Sequence, residues 1–355
     1  MSDSFTAAIA LAPEQRLVAL QAQGLVIRVA DERRRWQKAW DHFYARWENR
    51  LIERVLLSRI RKAFDHLDNP EALRAILVSL REDYARGNAA TLSVTAGSAS
   101  PLEAAEDVPL PAAWLGKEQR LERVLIYTAG GGFLLPPSQP QIQAAQRLGE
   151  LCGTDTLINL HALSPEAPFP EPIDDTERLI TWACERYGAS NVVLAADTAG
   201  ASISLGALLK MRDAGAELPA AIQLFSPWND LSLSGWSYIT KSATADSPFR
   251  METAAFCARA YLGNVPASNP LASAVFAELH DLPALAIHTS RFDMHFDDAL
   301  SLIQRISEGD GHGEIRYWDS PRHHLERFDS EAANASLKMA SGFLRRHLDV
   351  RGVAP

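Results

Sequence analysis

From residue 121 onward, short apolar runs alternate with longer segments of helical period, and this alternation restricts the chain more than any other feature. Strand candidates fall at 122–128, 154–160, 191–196, 220–225, 284–289 and 313–318. Helical segments lie between and after them, near 139–152, 175–187, 199–213, 296–308 and 330–348. A strand–helix–strand succession makes the strands parallel and lays helices over both faces of their sheet. The expected class is therefore α/β, with a mostly parallel sheet. In open sheets of this kind ligands collect at the carboxyl ends of the strands. No internal repeat and no extended low-complexity segment interrupts the pattern.

Upstream of residue 90 the texture is helical. Residues 33–62 read as one long helix, because Trp36, Trp40, Phe43, Trp47, Leu51 and Val55 recur every three or four positions. Ten Lys/Arg against three Asp/Glu in this stretch would suit an anionic surface. The apolar stripe, however, needs a buried partner, which favours a cap with a solvated basic face. A second helix opens at Asn69-Pro70-Glu71, where Asn69 can cap and Pro70 suits the first turn. It carries Leu73, Leu77, Leu80 and Tyr84 on one face and is expected to stop at Gly87. Residues 88–120 are small and Pro-containing, a linker with one short strand at 91–95. The implied division is a helical cap over 1–90, a linker and first strand over 91–120, and a catalytic-type domain over 121–355.

Composition excludes several classes. The 355 residues carry a net charge of −9, which disfavours nucleic acid as a partner. Three cysteines (Cys152, Cys184, Cys257) are too few and scattered for a disulfide framework or a CxxC metal site. The start, MSDSFTAAIALAPEQ, lacks the basic onset and apolar core of a signal peptide. No apolar run reaches ~18 residues, so no membrane span is expected and the protein reads as cytoplasmic. No cofactor motif is present, and a homodimer is one option the sequence leaves open.

Four stretches follow strands at the carboxyl edge. Gly130-Gly131-Gly132-Phe133 brings backbone N–H groups within reach of a ligand, as an oxyanion hole requires. It is not a P-loop, since no Gly-Lys-Ser/Thr follows. Ala196-Asp197-Thr198-Ala199-Gly200 sits between strand 191–196 and helix 199–213, the setting of a nucleophile elbow. Ser290-Arg291-Phe292-Asp293-Met294-His295-Phe296-Asp297-Asp298 follows the next strand but one, and Pro321-Arg322-His323-His324-Leu325 follows the last. Hydroxyl, acid and histidine thus appear in the chain order of the α/β-hydrolase triad. A metal site built from His288, Asp293, His295 and His323 is set aside, because the first three share one strand and loop without ligand spacing.

Over roughly residues 121–348 the chain resembles the hormone-sensitive-lipase-like esterases of the α/β-hydrolase fold. Ser226-Pro227-Trp228-Asn229-Asp230-Leu231 is similar to that family's Ser-Pro-Trp-x-Asp-Leu segment. Asn269-Pro270-Leu271 followed by Leu282-Pro283 matches its approach to the acid strand, and the early helices sit where it carries a cap. The resemblance implies Asp293 as the triad acid and His323 as the base, with His324 one register step away. It also implies oxyanion donors at Gly130, Gly131 and Ala199. Phe133, Asp197, Trp228 and His324 are the candidates for the pocket wall.

The departures from that family fall on the chemistry. Its His-Gly-Gly-Gly is here Ala129-Gly130-Gly131-Gly132, and its Gly-Asp-Ser-Ala-Gly is Ala196-Asp197-Thr198-Ala199-Gly200. A β-branched residue in the strained elbow costs on the order of 1–3 kcal/mol. Two classes of function follow. One is an acyl-processing enzyme, hydrolysing, transferring or lactonising an ester through Thr198, His323 and Asp293. The other uses the scaffold differently, as a lyase or cyclase with a His–Asp base, or as a silent ligand-binding or partner protein.

Overall fold

The computed structural model describes residues 13–30, 62, 70–92, 103–105, 107–115, 122–241, 250–309 and 311–349. Its centre is a nine-stranded sheet ordered β1-β9-β8-β7-β6-β4-β5-β3-β2. The strands are β1 (Val26–Arg28), β2 (Glu103–Ala104), β3 (Ala112–Leu115), β4 (Val124–Thr128), β5 (Asp155–Asn159), β6 (Val192–Asp197), β7 (Ala221–Phe225), β8 (Ala284–Ser290) and β9 (Gly313–Trp318). All neighbouring pairs from β1 through β5 are parallel, and β3 and β2 close one edge antiparallel. The helices are α1 (Pro13–Ala22), α2 (Pro70–Leu92), α3 (Gln139–Cys152), α4 (Glu171–Tyr187), α5 (Ala199–Asp213), α6 (Trp236–Thr240), α7 (Met251–Leu262), α8 (Phe296–Glu308) and α9 (Glu331–Asp349).

The strands are buried on both faces, as their uninterrupted apolar runs require. Along β4, Val124 and Ile126 face the side covered by α4, α5 and α8. Leu125 and Tyr127 face the opposite side, against Ile142 and Leu148 of α3 and Leu337, Phe343 and Leu344 of α9. Helix α5 has small residues where it meets the sheet: a β-carbon on Gly200 would lie 2.1 Å from the Thr128 carbonyl oxygen. That closeness keeps the start of α5 directly over the end of β4.

The predicted elements from 122 onward are present with small boundary shifts, the largest being α4, which begins at Glu171 rather than 175. Pro172 stands in its first turn, where the missing N–H has no helical partner to lose. Two upstream expectations are corrected. Helix α2 runs past Gly87 to Leu92, so Thr91 and Leu92 are helical and not the start of a strand. A glycine in a helix costs only ~1 kcal/mol, which Leu73, Leu77 and Leu80, all buried in the main core, readily offset. In addition, Val26–Arg28 pairs in parallel with Ile315–Tyr317 and extends the sheet, so the early part of 1–90 is not all cap. Arg16 on α1 fastens this edge by donating to Ser301 (2.9 Å) and Gln304 (3.3 Å) of α8. The linker region also contributes β2 and β3 to the far edge. The predicted helix 33–62 lies outside the described residues but for Lys62. Among the described residues no helix is long and apolar enough to cross a membrane.

Candidate active site

The carboxyl ends of β4, β6, β8 and β9 bring the four sequence stretches to one place. Thr198 caps α5 at φ 48°, ψ −116°, a backbone that β-branched residues avoid. The strain is held by bonds on both sides: Thr198 N–H donates to the Phe225 carbonyl (3.1 Å), and its own carbonyl accepts from Trp228 N–H (3.0 Å). The turn throws the hydroxyl outward, and Thr198 Oγ1 lies 2.8 Å from His323 Nε2. His323 Nδ1 in turn lies 2.7 Å from Asp293 Oδ2. A carboxylate only accepts, so Nδ1 carries the proton and Nε2 presents its lone pair to the Thr198 hydroxyl. Burial by itself would raise the Asp293 carboxyl, but His323 and His295 hold it well below the usual carboxylate range.

The other histidine of the pair goes elsewhere. His324 takes a left-handed conformation (φ 49°, ψ 67°) that turns its ring behind the elbow. There it is fully buried, stacked on Phe225, with Nδ1 3.4 Å from Asp197 Oδ1 and Nε2 4.0 Å from Glu326 Oε2. Asp197 also accepts from Tyr127 OH (2.9 Å) and from Gln141 Nε2 (3.0 and 3.1 Å). Burial opposes the charge on Asp197, yet His324, Arg327 and the Tyr127 donor hold it far below the usual range. Burial instead pushes Glu326 up, even though Ser336 donates to it. His288 joins the same interior region through Ser336 (2.8 Å), away from Asp293.

The glycine run lies against this elbow. A β-carbon on Gly130 would stand 2.6 Å from Asp197 Oδ1 and 2.8 Å from Thr198 Cβ. Among the described residues, the N–H groups of Gly130, Gly131 and Ala199 are used in no turn or loop bond. The candidate pocket-wall residues all prove to be interior. Phe133 stacks on Tyr261 with centroids 3.9 Å apart and leans on Trp228 at 5.3 Å. Asp197 and His324 form the buried network just described, so they support the elbow from behind.

Asp293, His295 and His323 offer donor atoms all within 4.8 Å of one another. Hydrogen bonds of both imidazoles to one carboxylate account for that closeness, and His288 is no part of it.

Sequence reading missed Gln141 and Arg81. Gln141 closes a capping box on Ser138 (Ser138 N–H to Oε1, 2.8 Å) and donates to the Gly130 carbonyl (3.1 Å), tying the glycine run to Asp197. The Ser-x-x-Gln spacing is a recognised signature and could have revealed the cap, though not its reach to the elbow. Arg81 of α2 donates to the carbonyls of Leu134 (2.8 Å) and Ser164 (2.7 Å) and pairs with Glu166. No local pattern marks it.

Residues 125–326 match the alpha/beta hydrolase fold family. An acetyl-hydrolase of Streptomyces hygroscopicus is 30% identical over 239 residues, 66% of this chain and 79% of that protein. A putative acetyl-hydrolase, LipR, of Mycobacterium tuberculosis is 26% identical over 170 residues, 48% of this chain; the chain spans about half of that protein (54%). The crystal structure of a hormone-sensitive lipase from a metagenome library superimposes with a TM-score of 0.68 at 22% identity, covering 78% of this chain and 98% of that one. On the sheet order, the elbow and these likenesses, the chain belongs to the alpha/beta hydrolase fold family, with hormone-sensitive-lipase-like esterases as its structural neighbours.

Proposed function

We propose that this protein cleaves a short-chain carboxylic ester, such as an acetyl ester, with Thr198 as nucleophile. The observation that carries the proposal is the unbroken line Thr198 Oγ1–His323 Nε2 (2.8 Å) and His323 Nδ1–Asp293 Oδ2 (2.7 Å). The acetyl-hydrolase relatives support a small acyl group.

In the first step Thr198 Oγ1 attacks the carbonyl carbon while its proton passes to His323 Nε2. Asp293 holds the imidazolium in place. The negative charge on the former carbonyl oxygen is met by the N–H groups of Gly130, Gly131 and Ala199, each such donor typically worth ~3 kcal/mol in the transition state. Collapse breaks the ester C–O bond, and His323 gives its proton to the departing alcohol. Water then attacks the acyl-Thr198 with His323 as base, releasing the acid and restoring the hydroxyl. Transfer to another acceptor needs only an alcohol or amine in place of that water. Helix α2, clamped through Arg81 to the segment after the glycines, serves as part of the cap.

One observation favours a second reading, a scaffold that binds without turnover. The single Thr198 proton has another acceptor, Asp197 Oδ1 at 3.2 Å, and the side chain bears a methyl group at the attacking position. Incubation with short p-nitrophenyl esters, followed by intact-mass analysis, separates the two. An acyl adduct on Thr198 that is absent from Thr198→Ala and His323→Ala supports the enzyme. Tight ester binding with no adduct and no acid release in any form supports the binder.

A further inference from the structure

Asp293 carries a second histidine that the triad does not use. His295 caps α8, and its ring lies 5.2 Å from that of His323, centroid to centroid. Its Nδ1 is 3.1 Å from Asp293 Oδ1, and its backbone N–H donates to the same oxygen at 3.0 Å. The two carboxylate oxygens are thereby divided: Oδ1 takes two donors from His295, and Oδ2 faces His323. Trp228 (5.5 Å) and the edge of Tyr238 (5.7 Å) enclose the rest of the His295 ring.

We propose that His295 is a positioning residue for the proton relay, fixing the plane of the Asp293 carboxylate so that Oδ2 serves His323 alone. This proposal rests on the reading of Thr198, His323 and Asp293 as the catalytic line. The torsion that orients a carboxylate is broad and two-fold, so a single bond from His323 leaves its plane loosely set. Two donors on Oδ1 remove that freedom. They also draw charge toward Oδ1, which tempers how strongly Asp293 stabilises the His323 imidazolium.

The tautomer follows from the surroundings. Asp293 can only accept, so the His295 proton is on Nδ1, and Nε2 is a bare acceptor among aromatic rings. His295 Nε2 is buried with no hydrogen-bond partner, which an acceptor tolerates better than a donor. Burial depresses the His295 imidazole against the pull of Asp293, keeping it neutral. The titratable groups facing the two rings are Asp293 beneath both, Tyr238 beside His295, and Asp197 across the Thr198 hydroxyl from His323.

The test is proton and nitrogen NMR on the full chain with 15N-labelled histidine. In the wild type, His295 is expected as the Nδ1–H tautomer, and His323 Nδ1–H as a far-downfield, slowly exchanging proton. His295→Leu keeps the volume and removes the side-chain donor. The His323 proton should then move and exchange with water about 10-fold faster, because the Asp293 carboxylate is no longer held in the plane that serves His323. His295→Asn, whose amide can reach Oδ1, should restore wild-type values. Finding the Nε2–H tautomer at His295 in the wild type overturns the proposal, whether or not the variants fold. So does an unchanged His323 resonance in folded His295→Leu, or the failure of Asn to rescue it. The catalytic reading fails separately, through acyl adducts or turnover that survive Thr198→Ala and His323→Ala.

Discussion

Thr198 Oγ1 stands 2.8 Å from His323 Nε2 although Thr198 occupies a left-handed backbone (φ 48°) that its branched side chain disfavours. The contact and the strain belong together. Only the sharp turn between β6 and α5 points the hydroxyl at the loop after β9.

Thr198→Ser tests the cost of the methyl group. Serine keeps the hydroxyl and the turn but clears the path of the carbonyl carbon. With a steric penalty of ~2–3 kcal/mol in the transition state, ester turnover should rise roughly 30- to 150-fold. The gain should vanish in Thr198→Ser/His323→Ala. A Ser variant with no gain, in a protein that turns over, would show that the methyl is not limiting.

His323 and His324 are adjacent in sequence and should fail in different ways. His323→Ala should abolish turnover with little change in melting temperature, since it removes the proposed base and leaves the buried network intact. His324→Ala leaves Asp197 buried beside a void where the imidazole stood. Asp197 keeps its Tyr127 and Gln141 donors, so losing this buried neighbour costs roughly 1–3 kcal/mol. Paired thermal melts and rate assays check this; a stable His324→Ala protein would contradict the assigned network.

Gly130→Ala should damage the elbow itself. Its β-carbon would stand 2.6 Å from Asp197 Oδ1, 2.8 Å from the Asp197 carbonyl oxygen and 2.8 Å from Thr198 Cβ. Two of these are backbone or branch atoms that cannot swing aside, so overpacking should cost roughly 1–3 kcal/mol. By contrast Gly215→Ala meets no atom within 4 Å, only an unfavourable φ of 69°. Urea unfolding of both variants measures the difference, and turnover should fall in the first alone.

Stability should fall on mild acidification because of His288. Burial, with a smaller push from Arg316, depresses its imidazole from an ordinary 6.5 to about 3. Between those values the unfolded chain binds a proton that the folded chain refuses, so stability drops as pH falls from ~6.5 toward ~3. At pH 5 the loss from this group is about 2 kcal/mol. The groups packed on the ring are Phe225, Trp318 and the Ser336 hydroxyl. Replacing His288 with Gln should flatten the dependence of melting temperature on pH over this range; an unchanged slope would assign the acid loss to other groups.

How much of this was legible in the sequence depended on the range of the interactions. The strands and helices from β4 to α9 follow from apolar period and small-residue corners, which are local properties, and so does the chain order of hydroxyl, acid and histidine. Residues upstream are less legible, because β1 joins β9 across nearly the whole chain and no local pattern announces a strand of three residues. Helix α2 outran its glycine because core burial outweighs a propensity term. At the site, local order placed Asp293 and the histidine pair on two loops at the carboxyl edge of the sheet but not the direction of each ring. The left-handed backbone of His324 turns one imidazole into the interior while its neighbour meets Thr198, and that choice is made by Phe225 and Asp197 from the ends of β7 and β6, with Glu326 two residues along the same turn. Gln141 and Arg81 matter for the same reason, since each acts through partners that only the folded sheet brings within hydrogen-bonding distance; His295 reaches Asp293 locally, and tertiary structure adds the link from that carboxylate to His323.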